Sequence, residues 1–281
     1  LAFAFMWSSA FTSGSIIVSS APPLMSLAIR FLISGLIGVL LAKWLGQNWN
    51  LTRNQWVGTL IFGVFQNAIY LGLTFVAMQT IEASLAAIIA SAMPLMVGLS
   101  GWLIFKEKIS TFGFTGLVAG TFGVLLIMGT RISSGVDFFG LTVAVIGMFA
   151  LTFATLAIRG ASSGGNLLMI VGLQMLVGSV VLFGISYQIE TFSVDYSWML
   201  IGAFSYTTLV PGLLATWIWF ILVDRIGAVR ASTFHFLNPF FGVVIAAIIL
   251  DETITLMDGV GVVIIAAGIL VVQLSRIDSL K

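Results

Sequence analysis

The chain has 281 residues, of which 60% are hydrophobic and 7% charged, with 30 glycines and a formal net charge of +1. Soluble domains use about 25% charged residues, and a chain with so few cannot face water without very large apolar patches. A polytopic membrane protein is the class that remains. The balanced charge offers no footprint for nucleic acid. The absence of cysteine excludes disulfides, thiol nucleophiles and cysteine metal sites.

Apolar stretches parted by short polar punctuation give ten expected spans, at residues 1–20, 24–45, 55–77, 81–105, 111–130, 137–158, 166–187, 197–223, 227–250 and 255–275. Helices of about 20 residues suit this spacing, and little is left over for a soluble domain. The apolar runs are continuous rather than alternating, which favours helices over barrel strands. Connections as short as Ala21-Pro22-Pro23 and Lys106-Glu107-Lys108 force neighbouring helices to run antiparallel. The chain opens on Leu1 rather than Met, so the true N-terminus is expected to be missing. Residues 1–20 have no basic n-region or small-residue cleavage site, and read as a first span rather than a signal peptide.

Basic residues in short loops set orientation. With the N-terminus in the cytoplasm, Lys43, Arg53, Lys106, Lys108, Arg159, Arg225, Arg230, Arg276 and Lys281 fall inside, nine of the eleven. Arg131 falls outside and Arg30 lies within a span. Both termini are therefore expected in the cytoplasm, with Glu82, Asp137, Glu190, Asp195, Asp251, Glu252 and Asp258 at or near the outer face.

Polar groups within the spans carry the functional reading. The first span holds Trp7 and Ser13. The second holds Arg30, about two turns from its outer end, which is close enough to snorkel. Arg30 is also an intramembrane charge able to attract a carboxylate. The third carries Gly63, Gln66, Asn67 and Tyr70 at i, i+3, i+4 and i+7, a single helical face. Two amides and a phenol are costly against lipid, so this face is expected to turn inward. The fourth span holds Met93 and Pro94 near its middle, and the sixth Thr152 and Thr155. The eighth has Tyr206 in its outer half, Pro211 near its middle, and Trp217 and Trp219 in its cytoplasmic half. The ninth carries a second stripe, Ala231, His235, Asn238 and Gly242, beside Pro239. Interhelical hydrogen bonding between helices is the competing role for each of these polar residues, and interfacial belts for the aromatic ones. Glycines cluster on the fifth span (Gly113, Gly116, Gly120, Gly123) and the tenth (Gly259, Gly261, Gly268). The Gly116/Gly120 GxxxG pair suits close helix packing or a weak dimer contact.

Sliding the chain against itself by 145 residues sets Pro94 on Pro239, Glu107 on Glu252, Gly116 on Gly261 and Gly123 on Gly268. That offset spans five helices, an odd number, so the halves 1–135 and 136–281 are expected to insert with opposite orientation. Inverted repeats, with helices broken at matching positions, point to secondary transporters with a midplane site. Pro94, Pro211 and Pro239 each remove a backbone donor and are candidate hinges. Gln66, Asn67, Tyr70, His235, Asn238, Trp7, Met93 and Trp217 are the candidate substrate-binding residues.

Asn238-Pro239, then Asp251-Glu252-Thr253-Ile254, Gly261 and Gly268, together with the first-half echo Pro94, Lys106-Glu107-Lys108-Ile109, Gly116 and Gly123, resemble the drug/metabolite transporter superfamily. The likeness is to ten-span bacterial exporters of the EamA type, to which Trp7 and Arg30-Phe31 also correspond, and within these to the YddG amino-acid exporters. The resemblance covers essentially the whole chain. It implies an all-helical basket around a central cavity in the bacterial inner membrane. It also implies export of neutral or aromatic amino acids or related small metabolites by alternating access. A nucleotide-sugar or sugar-phosphate carrier of the same superfamily is the near alternative, although such cargo wants Lys or Arg in the cavity and only Arg30 is available. An intramembrane enzyme would need a catalytic constellation, but there is no GxSxG, HExxH, Asp pair or Lys within a span. A structural membrane subunit would not need matched prolines. No cofactor and no metal is expected. The expected partners are a small-molecule substrate and the lipid bilayer, with the chain a monomer or weak dimer.

Overall fold

Short polar turns and capped ends divide this nearly continuous apolar sequence into helices. The computed structural model describes residues 1–103, 110–133, 135–157, 165–232, 234 and 237–278. Helix α1 is Ala2–Val18, α2 is Pro23–Trp44 and α3 is Arg53–Ala77. Helix α4 consists of Ala83–Ser91 and Met93–Leu103, parted at Ala92. Next come α5 (Thr111–Ser133), α6 (Phe138–Ala157) and α7 (Leu167–Ile189). Helix α8 runs through Trp198–Thr207, Thr208–Leu214 and Ala215–Ser232, followed by α9 (Asn238–Leu250) and α10 (Leu256–Asp278). Helices α2 to α8 are long and apolar enough to cross a membrane, while α1, α9 and the apolar stretch Leu256–Val272 of α10 are shorter. No strand occurs among the described residues.

Local chemistry explains the boundaries. Thr52 and Gln55 form a reciprocal capping box at the start of α3, which satisfies two amide donors that have no intrahelical partner. Thr255 and Asp258 pair in the same way at α10. One boundary differs from expectation: α8 continues to Ser232, and α9 starts at Asn238 rather than near residue 227. Between Asp224 and Ser232 only Gly227 disfavours a helix, and by about 1 kcal/mol, whereas Pro239 is tolerated in a first turn and not in an interior. Pro94 takes the equivalent second position of Met93–Leu103. Both prolines thus begin a helix after an interruption instead of bending a continuous one.

The turns gather into two faces. On one, Glu190 reaches the start of α2, the Asp195 amide donates to the Ser20 carbonyl at 2.8 Å, Thr80 donates to Asp137, and Glu252 reaches the start of α4. This is the acidic face. On the other, the Met169 amide donates to Gln47 at 3.0 Å, and the Gln55 side chain donates to the Gly165 carbonyl at 3.3 Å. Lys43 and Arg53 lie there. Lys106, Lys108, Arg159, His235 and Lys281 lie outside the described residues.

Two helix pairs form the tightest contacts, α2 with α7 and α5 with α10. Gly268 approaches α5 so closely that a Cβ on it would stand 2.5 Å from the Gly120 amide nitrogen and 2.7 Å from the Gly116 carbonyl. A Cβ on Gly172 would meet the Val39 nitrogen at 2.7 Å. The GxxxG glycines are therefore used in a contact within the chain. Leu36, Leu40, Phe122 and Ile248 point outward, as side chains facing lipid do.

Candidate functional site: a narrow cavity beside two π-helical stretches

Helix α3 changes its winding at Gly63–Tyr70, and α8 does so at Thr208–Leu214, both to π-helix. The two stretches begin 145 residues apart, the same offset that aligns Pro94 with Pro239. Such bulges redirect side chains and loosen the backbone ladder, and they concentrate at functional sites. Pro211 lies inside the second stretch, where its missing donor is absorbed by the irregular winding.

Between these stretches lies a cavity lined by Trp7 of α1, Arg30 of α2, Gln66 and Tyr70 of α3, and Pro211 and Thr216 of α8. Phenylalanines 11, 31, 62 and 75 supply apolar walls. The lining follows α3 from Phe62 to Met78, about 24 Å of helix at 1.5 Å per residue. The space is narrow, about 30 Å³ for the centres of water-sized spheres. That is room for about two waters and no amino acid.

Bulky side chains pack together beyond each end. Toward the basic face, Phe3 stacks on Trp219 with ring centroids 5.6 Å apart and touches Trp7, while Phe62 meets Phe220 edge-on at 5.5 Å. Toward the acidic face, Met78 and Phe75 press on α1 at Gly14, where a Cβ would stand 2.8 Å from the Met78 methyl. On that side an open vestibule of about 500 Å³ is lined by Ser15, Ser19, Gln79, Glu82 and Glu252.

The sequence-predicted residues divide into three groups. Gln66 and Tyr70 are buried, at 3% and 2% exposure, and both line the cavity, as does the partly buried Trp7. Asn67 also touches the cavity, but its amide donates to the backbone and side-chain oxygens of Gln174 on α7. Gly178 lies directly against the Asn67 Cβ position. Asn67 therefore joins helices. Met93, Pro94, Asn238 and Pro239 are buried away from this cavity, and the Asn238 carbonyl accepts from Ser8 at 3.2 Å. Trp217 packs partly buried against the core and does not line the cavity. His235 lies outside the described residues.

Two further residues matter here: Gln174, which the sequence did not single out, and Arg30, for which it left snorkelling and carboxylate attraction both open. Gln174 supplies the partner for Asn67, a pairing that no spacing on either helix reveals. Arg30 is 3% exposed and lines the cavity, so it does not snorkel. Among the described residues, no acidic side chain lines this cavity. Nor does any group of three or more His, Asp or Glu side chains come together there to hold a metal ion.

The sequence profile of the EamA-like transporter family matches residues 1–129 and 138–274. The uncharacterized transporter YvbV of Bacillus subtilis is 25% identical over 269 residues, covering 95% of this chain and 88% of its own. Protein PecM of Dickeya dadantii is 22% identical over 254 residues, covering 89% and 83%. A WAT1-related chloroplastic protein of Arabidopsis thaliana is 23% identical over 279 residues, covering 96% and 67%. A solved crystal structure superposes with a TM-score of 0.74 at 18% identity, covering 98% of this chain and 95% of the other, and so shares its fold. With apolar helices long enough to span a bilayer and relatives named as transporters, the chain is an integral membrane protein that belongs to the EamA-like transporter family.

Proposed function

We propose that this protein is a secondary transporter that exports neutral or aromatic amino acids, or related small metabolites, by alternating access. It would do so in the manner of the YddG exporters. The observation that carries this reading is the narrow cavity, which joins amide and guanidinium groups to aromatic walls and has bulky side chains packed beyond each end. Gln66 and Tyr70 offer hydrogen bonds to polar groups, and Trp7 with the phenylalanines offers a stacking surface. The aromatic plug of Phe3, Phe62, Trp219 and Phe220 is the inner gate, and Gly14, Phe75 and Met78 form the outer one.

The chain inserts as ten spans in two inverted halves, 1–135 and 136–281. The coincidence of the π-helical stretches at the 145-residue offset supports this, as does the gap between the two matched stretches at residues 130–137. Interruptions at Pro94, Pro211 and Pro239 give the halves their hinges. Asn238 begins α9 after the interruption, and His235 and Asn238 act at the cavity when it opens. The basic face lies in the cytoplasm with both termini, in the bacterial inner membrane, following the inside bias of Lys and Arg. A weak dimer need not use the GxxxG glycines, which are occupied inside the chain.

Counterflow in liposomes tests this. Vesicles holding the purified protein and preloaded with unlabelled L-phenylalanine should take up labelled L-phenylalanine saturably, and Gln66→Ala should abolish uptake while preserving a monodisperse, folded protein. Uptake no faster than in protein-free vesicles, across a panel of neutral amino acids, would overturn the reading. An organic-phosphate carrier is the second reading, favoured by Arg30 in the cavity wall. Exchange of a sugar phosphate but of no amino acid would select it.

A further inference from the structure

Arg30 raises the sharpest chemical question in the molecule. Its Nε and Nη1 are buried and have no hydrogen-bond partner. The acidic residue nearest the start of α2, Glu190, is already engaged by the amides of Leu24 and Met25 and by the Ser186 hydroxyl at 2.6 Å. Leu24 lies six residues from Arg30, about 9 Å along the helix. On the α8 side, Gly212 leaves room for the guanidinium: a Cβ there would stand 3.3 Å from Nη2 and 3.4 Å from Nε. The nearest compensation is the Phe31 ring, whose centroid is 5.0 Å from Cζ.

An arginine stays protonated in such a place, and a buried charge without a counter-ion is strongly disfavoured. Inside a membrane, a residue of this kind marks a ligand path or a site. The second unsatisfied group on the same cavity is Gln66, whose Oε1 is buried and accepts nothing. A cationic donor fork and a vacant acceptor thus face one space.

We propose that Arg30 binds the anionic group of the cargo, a single carboxylate, while Gln66 Oε1 accepts from its ammonium or hydroxyl group. The proposal rests on reading the cavity as the transport site. The planar fork of arginine matches a carboxylate in two parallel hydrogen bonds. One guanidinium balances one negative charge, which suits an amino or hydroxy acid better than a doubly charged phosphate ester. Because the cavity as it stands has room only for water, the carboxylate enters when one of the proposed gates opens.

The test compares L-phenylalanine with L-phenylalaninamide, which keeps the ring and amine but has no carboxylate, and with inorganic phosphate. In wild-type protein in detergent, L-phenylalanine should protect Arg30 from phenylglyoxal, mapped by mass spectrometry, whereas the amide and phosphate should not. Binding followed by tryptophan fluorescence should favour the acid over the amide by about ten- to hundredfold. Arg30→Gln should abolish that preference and Arg30→Lys should restore part of it. The labelling arm needs no variant, so it stands even if Arg30→Gln fails to fold. Equal protection by acid and amide, protection by phosphate alone, no protection by any of the three, or an undiminished preference in a folded Arg30→Gln would each overturn the proposal. Flux without acid preference sinks this site but leaves the transporter reading, whereas acid-selective protection without flux does the reverse.

Discussion

Glu252 reaches from the turn between α9 and α10 to Ala83, the first residue of α4, and its Oε1 accepts from the Ala83 amide at 2.8 Å while Oε2 accepts from Ser84 at 3.0 Å. Glu190 does the same for α2, accepting from Leu24 at 2.8 Å and Met25 at 2.9 Å. Each carboxylate satisfies two amides that have no intrahelical partner, at the positive end of a helix dipole. Neither interaction is local in sequence, so each ties the turn that ends one helix to the start of another on the acidic face. Removing a cap of this kind costs about 1 kcal/mol. Glu252→Ala and Glu190→Ala should each lower the thermal midpoint of the detergent-solubilised protein, and the double variant should lower it by nearly the sum, since the sites share no partner. The native chain has no cysteine, so a single cysteine at Met78 reports the proposed outer gate directly. It should label faster in either variant, and unchanged midpoints and labelling rates would show that these carboxylates hold nothing together.

The contact of Gly268 with α5 makes a sharper prediction about packing. The atoms a Cβ would strike are the Gly120 nitrogen and Cα, at 2.5 and 2.6 Å, and backbone cannot rotate aside as a side-chain tip can. Gly268→Ala must push α10 off α5, at a cost of about 1–3 kcal/mol or more. By contrast, Gly259 has open space around it, and Gly259→Ala should be neutral or slightly stabilising, because alanine favours the helix by about 1 kcal/mol. Equal unfolding midpoints for the two variants would refute the close contact.

These contacts show what the sequence made legible. Helices, most of their approximate ends and the inward face of Gln66 and Tyr70 follow from apolar runs and a 3.6-residue period, which are local properties; the boundary between α8 and α9 did not. The glycines at 268 and 120 signalled close packing, but not whether the partner was another helix of this chain or a second copy, because the motif is the same in both cases. Asn67 shares its face with Gln66, yet one residue bonds to α7 and the other looks into the cavity. A π-helical stretch beginning at Gly63 resets the angular positions, and nothing in the spacing announces it. Arg30 was ambiguous for a related reason. Two turns from a helix end, an arginine either reaches the interface or is held inside, and the outcome depends on neighbours from α3 and α8 that are remote in sequence.

The division between Asn67 and Gln66 is itself testable. Asn67→Ala leaves the side chain of Gln174, fully buried, without its partner, and an orphaned buried amide costs about 1–3 kcal/mol. The double variant Asn67→Ala/Gln174→Leu should recover much of that stability, since both polar groups are then gone. Gln66→Ala removes an acceptor that has no partner in the folded protein, so stability should hold or rise while counterflow is lost. The measurements are thermal unfolding and flux on the same preparations. If Gln66→Ala unfolds the protein and Asn67→Ala abolishes flux without loss of stability, the two assignments are reversed.

Asp137 provides a pH-dependent contact away from the cavity. Its Oδ2 accepts from the Gly140 amide at 2.7 Å and from the Thr80 hydroxyl at 2.8 Å, linking the start of α6 to the turn after α3. The amide bond, followed by the hydroxyl bond, holds its carboxyl below the ordinary value of 3.8. A carboxylate held low in the folded state binds its proton more readily when unfolded. Its contribution is therefore fully present above pH 3.8 and is lost as the pH falls through the lower folded value. Asp137→Asn keeps the shape but loses the charge at the helix N-terminus, so it should be less stable than wild type from neutral pH down to that range. Below it the two unfolding midpoints should converge. A constant difference between them at all pH values would show that the ionised form of Asp137 contributes nothing to holding α6 against α3.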